Sequence, residues 1–241
     1  YMPWKIHKKR HLTSFQVIIL GFAGVILFGA LILMLPISSV QGIITPFHKA
    51  LFTSTSAVCV TGLAVLDTGS YWSVFGQTVI MFLIQIGGLG VITTATAVFI
   101  LSGRKISIMQ RSTMQNAISA PKVGGIVRLM SFILKGTLLI ELIGALFIMP
   151  VFCHDFGLRG IWMSIFHSVS AFCNAGFDLL GTKWHPFVSL TSYAVNPVIN
   201  IVIMLLIIIG GIGFFTWEDI YLHKFQFIPV SYTHLRAHET S

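Results

Sequence analysis

Long apolar segments and short ones alternate along this chain, and the order repeats once. Residues 13–35 contain no charged side chain. At about 1.5 Å per residue, a helix of this length can cross a hydrocarbon core of roughly 30 Å. Three further long segments follow at 74–101, 127–150 and 195–215. The pattern therefore predicts four membrane-spanning helices.

A shorter apolar segment lies between the two long segments of each pair. Thr45 is a suitable N-cap and Pro46 a suitable first helical residue for a helix of about 12 residues. Such a helix is roughly 18 Å long and cannot span the membrane. The chain must therefore dip into the membrane and return through residues 59–66. Residues 156–172 and 173–180 predict the same dip and return in the second half.

Both halves carry the same residues at the tip of this dip. Aligning Cys59 with Cys173 brings Gly62 onto Gly176. The same alignment superimposes Ser54 on Ser168, Ser56 on Ser170, Ala57 on Ala171 and Pro36 on Pro150. We interpret the match as an internal duplication of one structural unit.

The predicted fold is an all-α membrane protein with two repeats of an outer helix, a re-entrant pore helix with a filter loop, and an inner helix. The repeats span residues 13–101 and 127–217. The predicted flanking regions are a basic cytoplasmic N-terminus at 1–12, a cytoplasmic connection at 102–126, a cytoplasmic segment at 218–228 and an unrelated tail at 229–241.

Composition and charge agree with a membrane protein. Apolar residues make up 55% of the chain and charged residues 9%, whereas soluble domains carry roughly 25% charge. The net charge of +8 is concentrated at residues 5–10 and 104–135, which places both regions and the N-terminus in the cytoplasm by the positive-inside rule. This distribution argues against a nucleic-acid partner. Cys59, Cys153 and Cys173 show no metal-ligand spacing.

The two return loops are the candidate site. Non-helical backbone in a membrane is costly unless it lines water or binds something. Carbonyl groups that point at a common axis can replace the hydration shell of a monovalent cation. The candidate filter residues are Cys59, Val60, Thr61 and Gly62 in the first loop, and Cys173, Asn174, Ala175 and Gly176 in the second.

Several side chains near the loops have expected roles of their own. Asp67 and Asp178 lie just beyond the loops, where we expect them to enrich cations at the pore mouth. Glu141 is an acid deep in a span and is either functional or a structural partner of another polar group. The repeated serines are expected to bond pore-helix backbone and one another, the inner-helix glycines Gly87, Gly88, Gly210 and Gly211 to pack closely, and His48, His167 and His185 to lie at the membrane interface.

Three stretches resemble a known family. SAVCVTGL followed by D-x-G-S-Y, the partner loop SAFCNAGFD and the inner-helix run IQIGGLGVIT are similar to the Trk/Ktr/HKT potassium transporter superfamily, most closely its bacterial Ktr-type membrane subunit. The resemblance covers residues 12–228. It implies four linked repeats around one pore, so this chain is expected to be the N-terminal half of a four-repeat subunit. Gly62 and Gly176 match the filter glycines.

The resemblance also implies partners and a location. The expected partners are the remaining two repeats of the subunit, a second copy in a homodimer, a cytoplasmic nucleotide-binding regulatory ring, and the lipid bilayer. We expect a multi-pass protein of the bacterial inner membrane that takes up potassium without a covalent cofactor. Coupling to sodium or protons stays open. The basic connection at 104–128 is the expected contact for the ring.

Two alternatives remain from the sequence. The first is a sodium-permeable or weakly selective cation channel, and the second is a membrane scaffold that transports nothing. An enzyme is not expected, because no predicted span carries paired aspartates, a serine with a histidine partner, or an H-E-x-x-H motif.

Overall fold

The computed structural model describes residues 14–90, 126–213 and 216–217. Six α-helices lie within them: α1 Ser14–Met34, α2 Phe47–Val58, α3 Val74–Leu89, α4 Ile126–Phe156, α5 Arg159–Phe172 and α6 Pro197–Ile212. Short 3-10 turns occupy Pro36–Ser38 and Ser189–Tyr193. No β-strand occurs in the described part of the chain, and the prediction of an all-α fold is confirmed.

The chain divides into two units, Tyr1–Gly211 and Ile212–Ser241. The structure describes four residues of the second unit, Ile212, Gly213, Thr216 and Trp217. The predictions for the N-terminus, the cytoplasmic connection up to residue 125, the end of the first inner helix, the segment after residue 217 and the tail fall outside the described residues.

Length and composition qualify two helices as membrane spans, Gln16–Met34 in α1 and Ser131–Phe156 in α4. The inner helices α3 and α6 are apolar but shorter in their described parts. Ser73 caps α3 by accepting a hydrogen bond from the Gly76 N–H, which explains why this helix begins after the Tyr71–Trp72 pair.

The second outer helix is longer than the sequence pattern indicated. We expected it to end at Pro150, but α4 continues to Phe156 with Pro150 inside it. The helix ends instead at Gly157, which adopts φ +59° and donates its N–H to the Cys153 carbonyl. A proline inside a membrane helix is tolerated, whereas a left-handed glycine directly ends one. The pore helix α5 accordingly begins at Arg159 rather than at residue 156.

Each outer helix packs against its own pore helix through a glycine. In the first repeat, a Cβ added at Gly29 would lie 2.6 Å from Ser54 Oγ and 2.8 Å from Leu83 Cδ1. The Ser54 hydroxyl donates to the Ile26 carbonyl over 2.7 Å. Outer, pore and inner helices therefore meet at one point around a residue without a side chain.

The second repeat builds the same junction. A Cβ at Gly144 would lie 2.6 Å from Ser168 Oγ and 2.8 Å from Leu206 Cδ1. The Ser168 hydroxyl donates to the Glu141 carbonyl over 2.6 Å. These serines bond the backbone of the outer helix rather than that of their own pore helix, which differs from the expectation.

The inner helices approach the pore helices at the ends from which the candidate loops depart. A Cβ on Gly87 would overlap the backbone carbonyl of Val58, and one on Gly210 would overlap that of Phe172. Gly88 lies against the Cys173 side chain of the other repeat. A Cβ added at Gly88 would lie 2.5 Å from Cys173 Sγ. The packing role predicted for these glycines is confirmed, while Gly211 faces nearly open space.

Replacing Gly87 should disturb the contact between α3 and the end of α2 more than replacing a glycine without close neighbours disturbs its surroundings. We expect Gly87→Ala to destabilise the full-length protein by about 1–3 kcal/mol, because the new methyl group must displace backbone. The matched control is Gly24→Ala, since Gly24 lies in α1 with no atom within 4 Å of a Cβ position. Thermal unfolding of detergent-purified variants measures both effects. Equal unfolding midpoints for the two variants would contradict the proposed packing.

Candidate functional site

The first pore helix ends in a Schellman cap. Cys59 is still helical, with φ −85° and ψ 0°, and Val60 turns to φ +56°. The Val60 N–H donates to the Ala57 carbonyl over 3.3 Å and the Thr61 N–H to the Ser56 carbonyl over 3.0 Å. This pair of bonds defines the motif, in which two carbonyls of the last turn are satisfied by the residues that follow the helix.

The second pore helix ends in the same way. Asn174 adopts φ +57° and donates its N–H to the Ala171 carbonyl over 3.0 Å. The Ala175 N–H donates to the Ser170 carbonyl over 2.7 Å. The duplication visible in the sequence therefore extends to individual backbone hydrogen bonds.

Neither cap uses the residue that such caps favour. Glycine is usual at the left-handed position and asparagine is tolerated there. Val60 is β-branched, and a left-handed conformation costs an ordinary residue roughly 1–2 kcal/mol. Strain of this kind persists where the surrounding structure holds it, and it is concentrated at functional sites. Val60 therefore marks the first loop as a candidate site.

The carbonyl groups after each cap are unused. Within the described residues, no hydrogen-bond donor reaches the carbonyls of the eight candidate filter residues, Cys59, Val60, Thr61, Gly62, Cys173, Asn174, Ala175 and Gly176. Roughly 90% of buried backbone carbonyls are hydrogen-bonded in proteins. Of the eight residues, Cys173 and Ala175 are buried, Val60 and Gly62 are half-buried, and the other four are exposed. A row of free carbonyls that follows two matching caps is a suitable lining for a cation.

The two loops touch at their glycines. Gly62 and Gly176 both adopt φ +71°, a conformation in which a side chain is strained. A Cβ on Gly62 would lie 2.6 Å from the Ala175 carbonyl oxygen, whereas one on Gly176 would lie 3.5 Å from Gly62 Cα. The structure thus brings the two predicted filter segments together, with closer packing on the Gly62 side.

In each repeat, a serine of the pore helix hydrogen-bonds to the loop that follows the helix. Ser56 Oγ lies 2.9 Å from Thr61 Oγ1, and the Ser170 hydroxyl donates to the Phe177 carbonyl over 2.6 Å. The two hydrogen bonds differ because Ala175, the counterpart of Thr61, has no hydroxyl group. Neither serine is needed to supply a ligand from its side chain.

Asp67 is a structural link between the two repeats. It is buried, and its Oδ2 accepts hydrogen bonds from the Ser70 N–H and hydroxyl over 2.8 and 2.6 Å. Its Oδ1 accepts a bond of 2.8 Å from the Phe187 N–H in the second repeat. Asp67 therefore has a structural role through these bonds, and its expected enrichment of cations at the pore mouth stays a prediction.

Asp178 keeps a position beside the second loop. With Gly176 and Phe177 it lines a cavity of about 200 Å³. Burial raises the pKa of Asp178 above its ordinary value; the Leu180 N–H, which donates to Oδ1 over 3.0 Å, opposes this, and the nearby Asp67 charge adds to it. Asp178 therefore lies beside the second candidate loop.

Sequence reasoning missed a part-buried hydrogen bond between the repeats. The Trp162 indole N–H in α5 donates to Gln77 Oε1 in α3 over 2.9 Å. The amide nitrogen of Gln77 donates in turn to the Trp72 carbonyl over 2.9 Å. No sequence pattern signals this pair, because its members are far apart in the chain and belong to different repeats.

His167 is enclosed by protein, which the sequence did not indicate. It is buried in α5, where Nδ1 lies 2.7 Å from the Met163 carbonyl and Nε2 accepts the Leu179 N–H over 3.3 Å. Its counterpart by sequence alignment is Thr53, whose hydroxyl bonds the Lys49 carbonyl. His48 and His185 are exposed.

Comparisons with known proteins agree with this arrangement. The potassium/sodium uptake protein NtpJ of Enterococcus hirae is 45% identical over 213 residues, which cover 88% of this chain and 46% of that protein. The Ktr system potassium uptake protein B of Bacillus subtilis is 43% identical, with 90% and 47% covered. Its namesake from Vibrio alginolyticus is 35% identical, with 86% and 44% covered.

The chain spans about half the length of these relatives. The model of the TrkH family, described as cation transport proteins, matches residues 7–233. This match covers both repeats, both pore helices and both glycine loops. The chain belongs to the TrkH family of cation transport proteins.

Proposed function

We propose that the full-length protein takes up potassium and that this chain supplies two of the loops lining its pore. The observation that carries the proposal is the row of free carbonyls that follows each pore helix and meets its counterpart at Gly62 and Gly176. Family membership supports cation transport, and the names of the relatives support potassium as the cargo.

The proposed mechanism needs no covalent chemistry and no cofactor. A potassium ion exchanges its water for the carbonyls of residues 59–62 and 173–176, which the Schellman caps leave free. The C-terminal end of each pore helix points into the same region and carries a partial negative charge. Cations are thereby stabilised at the loops, and anions are excluded.

Half of the proposed pore lies outside this chain. We propose that two further repeats of the same subunit complete the ring of carbonyls, since the relatives are about twice as long. Two relatives carry names that place them in a Ktr system. From the resemblance to the Ktr type we propose a cytoplasmic nucleotide-binding ring as a partner. A homodimer in the bacterial inner membrane, with the N-terminus in the cytoplasm, completes this proposal.

Sodium permeation is the second candidate function. It is favoured by one relative, which is named a potassium/sodium uptake protein. Sodium coupling and simple sodium leakage would both account for such a name. Competing uptake of the two ions in a cell that lacks its own potassium uptake separates them, because coupling requires both ions together. A scaffold without transport would leave the free carbonyls without a purpose.

The two loop glycines should respond unequally to serine. We expect both Gly62→Ser and Gly176→Ser to lower potassium selectivity over sodium, because each serine must adopt φ +71°. Gly62→Ser should cost more uptake, about tenfold, since its Cβ meets the Ala175 carbonyl and such overpacking costs about 1–3 kcal/mol. Ion-uptake assays at matched membrane abundance measure both effects.

The control for this comparison is Gly42→Ser. Gly42 has φ +66° and no atom within 4 Å of an added Cβ. It belongs to neither of the two candidate loops. It should lose some stability through the same strain while keeping the selectivity of the parent protein. Unchanged selectivity for potassium over sodium in both loop variants would contradict the proposal.

Exchanging the residues at the two left-handed positions tests the strain at Val60. We expect Val60→Asn to raise the unfolding midpoint and to retain uptake, because asparagine tolerates this conformation better. Asn174→Val should lower the midpoint by more than Val60→Asn raises it, because its side chain also donates to the Ile207 carbonyl. A lower midpoint for Val60→Asn would contradict the assignment of strain.

A further inference from the structure

Glu141 has a buried carboxyl group with an unused oxygen. The residue lies in the membrane span of α4 and is 5% exposed. Its backbone carbonyl is taken by the Ser168 hydroxyl, but Glu141 Oε1 has no hydrogen-bond partner within the described residues. An unpaired acid in a membrane is costly, and such residues are candidate functional sites by default.

A second unused polar atom lies beside it. The Gln85 side chain of α3 is close enough to the Glu141 carboxyl to interact with it. Gln85 Nε2 nevertheless makes no hydrogen bond in the described part of the chain. A buried donor and a buried acceptor thus lie side by side across the boundary between the two repeats, within reach of each other but outside the geometry of a direct hydrogen bond. Leaving such a group unsatisfied costs about 1–3 kcal/mol.

Both side chains line one pocket of about 270 Å³ between α3, α4 and α5. The rest of its lining is apolar and includes Met81, Ala145 and Ile165. Its outer edge is formed by Phe82, Leu138 and Leu142, which are 57–62% exposed. These side chains are exposed in the described part of the chain, so the pocket is open at this edge.

The pattern of hydrogen-bonding groups specifies the ligand chemistry. A hydroxyl oxygen can accept a bond from Gln85 Nε2 while its hydrogen is donated to Glu141 Oε1. The volume is several times the roughly 30 Å³ that one water occupies, and the lining apart from these two polar groups is apolar. A hydroxyl group at the polar end and an apolar body in the remainder would therefore fill the pocket.

We propose that the pocket between α3, α4 and α5 binds a membrane-dissolved molecule with an apolar body and a single hydroxyl head, held by Gln85 and Glu141. None of the residues that line the pocket is a candidate filter residue. Entry is from the lipid phase, past the exposed side chains at the outer edge. The bound molecule bridges the inner helix of one repeat and the outer helix of the next.

Photolabelling of the full-length protein in lipid vesicles tests this site. The probe is octanol carrying a photoactivatable diazirine, and peptide mass spectrometry locates the label. We expect label on Phe82 and Leu138, competed by plain octanol and not by octane, which lacks the hydroxyl. Gln85→Leu and Glu141→Leu should each reduce labelling about tenfold, the effect of losing one hydrogen bond of roughly 1.4 kcal/mol.

Two controls make the result specific. Glu141→Gln retains an acceptor oxygen and should lose less than about threefold, within the range of a weakened neutral hydrogen bond. Leu146→Ala removes an exposed side chain of the same helix that does not line the pocket, and labelling should not change.

Three outcomes would overturn the proposal. The first is equal labelling of the parent protein and both leucine variants. The second is competition by octane as strong as by octanol, which would identify a purely apolar cavity. The third is an absence of label at Phe82 and Leu138, as expected if the other half of the protein or a direct Gln85–Glu141 bond closes the pocket. If Glu141→Leu fails to fold, Gln85→Leu decides the question.

Discussion

A backbone carbonyl inside a membrane needs a partner, and the ends of α2 and α5 are arranged around this requirement. The Schellman caps satisfy the carbonyls of the last helical turn with the amides of Val60, Thr61, Asn174 and Ala175. The next carbonyls are left without donors. The glycines of the inner helices then press against the same helix ends at Val58 and Phe172, which fixes where the free carbonyls lie. An ion bound at the loops would supply a partner for the carbonyls that have no hydrogen-bond donor.

The two repeats agree in backbone and differ in side chains. Each has a glycine at the junction of three helices, a pore-helix serine that donates to an outer-helix carbonyl, and a left-handed residue after the pore helix. The differences are the hydrogen bond from the pore-helix serine to the loop and the identity of the left-handed residue, Val60 or Asn174. In a pore built from unequal loops, each loop can contribute a different share of the binding energy of the ion. Glu141 also has no acidic counterpart in α1, so the pocket beside it belongs to one boundary between repeats.

The local features of this chain could be predicted from its sequence, and the contacts between its distant parts could not. Uncharged segments of sufficient length predict α1 and α4, and the duplicated Gly62 and Gly176 predict that both loops serve one purpose. The end of α4 was misplaced because Pro150 is a strong helix breaker in water but is tolerated in a membrane.

The role of Asp67 was missed because its partner Phe187 lies in the other repeat, and the Gln77–Trp162 bond was missed for the same reason. The free state of the loop carbonyls also needed the structure, since it depends on which amides fold back onto the helix. Sequence reasoning named the two loop segments that the structure brings together at Gly62 and Gly176, but it could not give the hydrogen-bond partners of the acids nearby.

The central claim is that the carbonyls of the two glycine loops bind a monovalent cation. Anomalous scattering from crystals of the full-length protein grown with rubidium in place of potassium tests this claim most directly. The account predicts an anomalous peak within coordination distance of the Thr61 and Ala175 carbonyl oxygens. A well-ordered structure with rubidium bound elsewhere, and with no peak between the loops, would contradict it.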